Sequence, residues 1–315
     1  SQSLGDMWYD TNLGVLKNVG LGTASWASGG NMGVDANGRG GAGTQTAGIA
    51  YGGIQQPGTP SYNNTELYNG TSWSEVNNLN SGRANGAPAE KGTQTAALYA
   101  GGDRQSPDVS KYDVSEEFDG TSWTEGNNLG TSRTEVAGAG TQTSGLAVGG
   151  NVDPGTTDNV EEYDGTSWSE VNNTPAPDRV RTGAGPQTAA IIVSRKSTPA
   201  DGETLEYDGT NWTTGGTLGT PRQRLGVAGD STSAVAFAGV VPPGPYVVTT
   251  ETYDGTSWSS SADMASPRFR ITGFGTSSAA IGCGGYKPSG PPPGSNATEE
   301  FTGAAATVKT VTTST

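Results

Sequence analysis

Histidine is absent from this 315-residue chain. Its absence removes Ser–His–Asp and Cys–His nucleophile systems, His-ligated copper and iron, and the commonest general base near neutral pH. Cysteine is almost absent too. Cys283 stands alone, so neither an intrachain disulfide nor a Cys-rich zinc cluster can form. Positive charge is scarce: Lys and Arg total 17 against 31 Asp and Glu, a formal net charge of −14. Such a chain lacks the basic footprint that phosphate backbones require, so no nucleic acid is expected as a partner. The acidity reads as a solubilising surface, with a cation-mediated ligand site as the rival. Long apolar runs are missing as well, and no membrane insertion through a helix is expected. The opening "SQSLGDMWYD" has neither the basic nor the apolar region of a signal peptide. It also begins without Met, which suggests a segment of something longer. With only Asp, Glu, Lys and Tyr left for acid–base work, we expect no enzyme and no cofactor.

Glycine, by contrast, is abundant. There are 51 glycines and 18 prolines, and hydrophobic residues make up 31%. Counting the glycines brings the apolar share near an ordinary globular value, and Gly plus Pro stays below the level typical of disordered chains.

The chain repeats itself. "YDGTSW" stands at Tyr163–Trp168 and again at Tyr253–Trp258, with near-copies at Tyr68–Trp73, Phe118–Trp123 and Tyr207–Trp212. The motif tryptophans Trp26, Trp73, Trp123, Trp168, Trp212 and Trp258 are spaced by 47, 50, 45, 44 and 46 residues. A second landmark is an apolar run ending in paired glycine, as in "IAYGG", "LYAGG", "LAVGG" and "IGCGG"; "IIVSR" and "AFAGV" depart from it. A period of 40–50 residues without helical periodicity points to four-stranded propeller blades.

Each repeat reads strand by strand. A Gly/Ala/Val-rich segment such as Thr134–Gly140 suits the innermost strand, where blades converge. Ser144–Gly150 is an apolar strand covered on both faces, Asn159–Tyr163 a third, and the fourth begins at Trp168. Asp-Gly between β-segments is a hairpin signal, because Gly tolerates positive φ and Asp caps its own turn. The flanking Tyr and Trp then pack between blades. The rival is a repeated cation or carbohydrate site on Asp119, Asp164, Asp208 and Asp254, which Asn69 in the first copy and Gly303 in the last weaken. Glu66, Glu116, Glu161, Glu251 and Glu299 recur before the third-strand aromatic, with Leu205 as the exception. Arg83, Arg133, Arg222 and Arg268 recur before the inner strand, so a ring of acid–base pairs is expected, an acidic cation channel being the alternative.

Six second-strand runs occur, but Trp26 precedes all of them and no tryptophan follows Phe301. The simplest closure is an all-β ring of six antiparallel four-stranded blades, with the Trp26 segment supplying the outer strand of the last blade. The tail "ATVKTVTTST" could itself be a fourth strand, and seven blades is the alternative. The organisation is then an N-terminal lead-in hairpin over 1–25, a propeller over 26–303 and a Thr-rich strand or tail over 304–315.

Paired glycine after an apolar strand, then Tyr, Trp and the "SPR" of Ser266–Arg268, resembles the kelch repeat from about Trp26 to Phe301. "GTQTAGIAYGG" and "EEYDGTSW" are similar to kelch-type repeats of tail-fibre-like proteins from marine bacteriophages. "GDMWYDTNLGVLKNV" resembles a hairpin of phage appendage proteins. The resemblance implies a propeller on a virion, outside the cell, contacting a host-surface glycan or protein or other virion proteins. A structural capsid or tail decoration and a glycan-active enzyme are the alternatives. The latter needs two carboxylates at a defined separation. The sialidase Asp box does not match, since Asp and Gly are adjacent here.

The loops after the second strand are long and dissimilar, whereas the "DGTS" turns on the opposite face are nearly identical. Variation on one rim of a uniform scaffold is how a binding surface is built. Tyr62, Tyr112, Tyr246 and Tyr286 are its candidate contacts, since amphipathic rings dominate recognition surfaces. Arg104, Lys111, Lys196 and Lys287 add positive charge. No residue is nominated as catalytic or as a metal ligand.

Overall fold

A computed structural model describes residues 5–13, 15–56, 59–105, 110–179, 182–194, 201–287 and 294–310. It contains six four-stranded antiparallel sheets. The third blade is representative: Ala137–Thr141, Ser144–Val148, Val160–Tyr163 and Trp168–Val171 pair in that order from the axis outward. The inner strands Gly40–Thr44, Ala87–Pro88, Ala137–Thr141, Thr182–Ala184, Gly226–Asp230 and Thr272–Thr276 touch their neighbours in a closed cycle. The fold is therefore a six-bladed β-propeller.

Small inner residues are a steric requirement of that cycle. A Cβ added at Gly138 would lie 2.3 Å from the Pro88 carbonyl of the neighbouring blade, and one at Gly183 would lie 2.5 Å from the Gly138 carbonyl. Neither distance is tolerable for a real side chain.

Closure falls on the sixth blade, where Ser25–Ser28 forms the outer strand beside Thr298–Thr302 and Trp26 stands opposite Phe301. The tail does not supply that strand. Ala306–Thr310 instead pairs with Val15–Leu21, and Met7–Asp10 completes a separate three-stranded sheet. The lead-in hairpin and the C-terminal strand, distinct segments in the sequence, thus share one sheet. The pairing of the two chain ends keeps one register throughout: Lys17 faces Thr310, Leu21 faces Ala306, and Ser25 faces Thr302.

The repeated aromatics join the blades. Each motif Trp indole N–H donates to the preceding blade: Trp26 to Thr250 Oγ1 (3.1 Å), Trp73 to Thr298 Oγ1 (2.9 Å), Trp123 to Thr65 Oγ1 (2.9 Å) and Trp168 to Ser115 Oγ (3.2 Å). Trp258 donates to Thr204 Oγ1 and Trp212 to the Asn172 carbonyl, both at 2.9 Å. Third-strand tyrosine hydroxyls add a second link, such as Tyr68 to Glu300 (2.5 Å) and Tyr207 to Glu162 (2.9 Å).

Within blades, the expected acid–base pairs are present and buried. Arg133 meets Glu161 at 2.7 Å, Arg268 meets Glu299 at 2.7 Å, and Arg83–Glu116 and Arg222–Glu251 form the same contact. The first blade reaches it by another route, with Arg39 on Glu66 at 2.9 Å. Burial lowers the affinity of Arg133 and Arg268 for their protons, and the paired glutamates oppose that shift. The fourth blade omits both partners together: Leu205 replaces the glutamate, and Asp178 stands where the arginine would be.

Candidate functional site

The "DGTS" turns are complete in themselves. Asp119 Oδ1 accepts the amides of Thr121 and Ser122 at 2.8 Å, and Asp164 Oδ1 accepts those of Thr166 and Ser167 at 2.8 Å. Asp208 and Asp254 do likewise, and Asn69 does the same in the first blade. These amide hydrogen bonds hold the four Asp carboxyls below their ordinary value, the amides of Ser122, Ser167, Asn211 and Ser257 contributing most. The following glycine is left-handed, with φ of +89° at Gly165 and +93° at Gly120. The chemistry repeated in the motif is thus used in folding the turn.

The opposite face has a different character. Just before five of the six inner strands the backbone turns left-handed, at Gly38 (φ 64°), Asn85 (58°), Glu135 (54°), Arg224 (54°) and Arg270 (52°). The conformation builds a collar of inter-blade hydrogen bonds. The Arg270 amide donates to the Arg224 carbonyl (2.8 Å), Gly38 to Arg270 (3.1 Å), Asn85 to Gly38 (2.9 Å) and Val136 to Asn85 (3.2 Å). Inside the collar lies a funnel of about 110 Å³, walled lower down by Pro88, Gly138, Gly183 and Gly273.

Charge converges on this mouth. Glu135 Oε1 lies 2.8 Å from Arg224 Nη2 and 3.5 Å from Arg270 Nη2, and Glu135 Oε2 lies 3.6 Å from Arg179 Nε. Among the described residues, Glu135 is the only ion-pair partner of those three arginines. Burial, then the neighbouring Arg224 charge, pulls Arg270 down to about 10. Asp103, close by, accepts hydrogen bonds from Asn85 Nδ2 (2.9 Å) and Thr134 Oγ1 (2.5 Å), and burial raises its carboxyl above the ordinary value.

The far end of the axis is plugged. Glu90 occupies the repeat position held by Gly140, Gly185, Gly229 and Gly275 in other blades. Its carboxylate accepts the Gly275 amide at 3.0 Å and the Gly185 amide at 3.3 Å, and Lys91 Nζ lies 3.4 Å away. Burial raises it to about 7 despite Lys91.

The rim residues nominated from sequence divide into groups. Tyr246 stacks on Phe269 with centroids 4.7 Å apart, and Tyr286 packs tilted against the same ring at 5.0 Å. The Arg224 guanidinium lies 5.9 Å from the same ring, which joins these two tyrosines to the mouth. Lys287 follows Tyr286 and is partly exposed. Tyr62 and Tyr112 occupy equivalent places, each amide donating to the second glycine of its pair (2.7 Å to Gly53 and 2.8 Å to Gly102). Lys111 is engaged by Asp153 at 2.7 Å, which ties the second and third loops together. Arg104 is exposed, and Lys196 lies outside the described residues. Sequence reasoning missed Phe269, Glu135, Arg179, Arg224 and Arg270. For Glu135, Arg224 and Arg270 the signal was the residue two places after each inner-strand arginine, as in "RTE", "RQR" and "RFR".

The class these observations define is a six-bladed β-propeller with one variable, arginine-mouthed face. No family model matches the chain, and no curated protein matches it.

Proposed function

We propose that this propeller is a non-catalytic recognition module of the kelch type, carried on a bacteriophage appendage and contacting a host-surface glycan or protein through its variable face. One observation carries the reading: the two faces differ in kind. One repeats the same self-satisfied turn around the ring, while the other brings dissimilar loops, stacked tyrosines and an arginine cluster around a funnel. Rigid frames bearing variable loops are the usual construction of binding surfaces. Exchanging the loops bearing Tyr246 and Tyr286 for the corresponding loop of another blade is expected to abolish adsorption to host cells while the melting temperature is kept. Unchanged adsorption by the folded variant refutes the reading.

A purely structural decoration is the second reading. It is favoured by exposed apolar side chains on the terminal sheet and its turn, namely Met7, Tyr9, Leu13, Leu21 and Val308. Fixed stoichiometry on particles, with no effect of antibodies on adsorption, would select it.

A further inference from the structure

We propose that the mouth of the funnel binds the pendant acid group of an acidic polysaccharide, its oxyanion held by Arg179, Arg224 and Arg270 and its sugar ring laid against Tyr246 and Tyr286. The proposal rests on the recognition reading above and names its ligand class.

Three observations carry it. The first is charge. In a chain of net charge −14, three guanidinium groups, from the segments leading into the fourth, fifth and sixth blades, converge on one carboxylate. Glu135 already shows the group these donors select, and planar guanidinium forks match carboxylates and other oxyanions. Asp103 and Asp178 also lie nearby, but Asp103 is held by Asn85 and Thr134, and Asp178 Oδ1 accepts the Arg179 amide at 2.6 Å.

The second is backbone conformation. The collar needs left-handed residues, and glycine supplies them without strain, as Gly38 does. Asn85 also tolerates it, but Glu135, Arg224 and Arg270 adopt the same φ against their steric preference. The collar alone does not explain side chains there. Directing polar groups into the funnel does.

The third is size and surroundings. About 110 Å³ is room for a carboxylate or sulfate between the arginines. The sugar ring is then placed at the mouth, where Tyr246, Phe269 and Tyr286 form an aromatic ledge beside Arg224. Amphipathic tyrosines suit a sugar's apolar face and its hydroxyls together.

Calorimetry on the full chain in about 150 mM salt, where the Debye length is about 8 Å and repulsion from the acidic surface is screened, tests this. The probes are trigalacturonate, its trimethyl ester and a 6-sulfated galactose trisaccharide. At least one acidic probe is expected to bind, and their ratio tells carboxylate from sulfate. The neutral ester should bind at least tenfold more weakly than trigalacturonate if the carboxylate is preferred. Arg224→Gln and Arg270→Gln should weaken the better acidic probe tenfold or more. Glu135→Gln should tighten it by removing the resident competitor, an outcome a merely structural ion pair does not give. Arg224→Gly should lose binding without a lower melting temperature. No binding of either acidic probe, equal binding by the arginine variants, or weakening by Glu135→Gln overturns the proposal. If Arg224→Gln and Arg270→Gln adsorb to cells normally while the loop exchange does not, the anion site falls and the attachment reading stands.

Discussion

Replacing Glu90 by Gln should change how stability depends on pH. Glu90 reaches the inner strands of the fourth and sixth blades from the second, and its side chain is almost wholly buried. Burial raises its carboxyl from the ordinary 4.5 to about 7. Between those values the folded chain keeps a proton that the unfolded chain releases, so folding stability falls as pH rises through the window. The contribution is fully present below about 4.5 and lost above about 7. A shift of that size corresponds to about 3 kcal/mol, at roughly 1.4 kcal/mol per unit. The chain has no histidine to titrate in the same interval. Urea denaturation from pH 4.5 to 8 should show the wild type losing about 3 kcal/mol relative to Glu90→Gln. The amide keeps an acceptor for one glycine amide but loses the second bond, an offset of about 1 kcal/mol that does not vary with pH. Parallel pH profiles for the two proteins would refute the assignment of an ionisable plug to the axis.

Two further outcomes follow from the blades. Arg133→Leu should cost about 3–5 kcal/mol by stranding the buried Glu161 carboxylate, whereas Arg133→Leu with Glu161→Leu should cost much less. Additive losses in denaturant unfolding would contradict this. Deleting residues 1–27 removes Trp26 and most of the outer strand paired with Thr298–Thr302. It should leave a protein that aggregates or melts early; an unchanged melting curve would show that the ring does not depend on that strand.

The frame was legible in the sequence because it is repetitive. The spacing of tryptophans, the paired glycines and the mismatch between Trp26 and Phe301 indicated six blades and their closure, and the structure has both. The pairing of recurrent Arg and Glu was legible for the same reason. Arg39 was not, because it reaches Glu66 from a different place in the repeat, where only the folded backbone makes the two routes equivalent. The mouth escaped for a related reason. Its charges come from positions such as Glu135, Arg179, Arg224 and Arg270, one or two to a repeat, and only the ring brings them within 4 Å. The rim tyrosines were chosen one by one from their loops. Nothing in their spacing showed that Tyr246 and Tyr286 would share Phe269 while Tyr62 and Tyr112 would not.

The shared register of the chain ends has a mechanical consequence. Lys17 opposite Thr310, Leu21 opposite Ala306 and Ser25 opposite Thr302 make the arms of one ribbon that runs into the sixth blade. A force pulling the arms apart opens that ribbon one pair at a time, and past Ser25–Thr302 it meets the Trp26–Phe301 clasp of the sixth blade. A force drawing both arms the same way leaves every pair unloaded. The molecule therefore tolerates tension along its stem and yields to splaying, so its strength depends on how the two arms are held relative to each other.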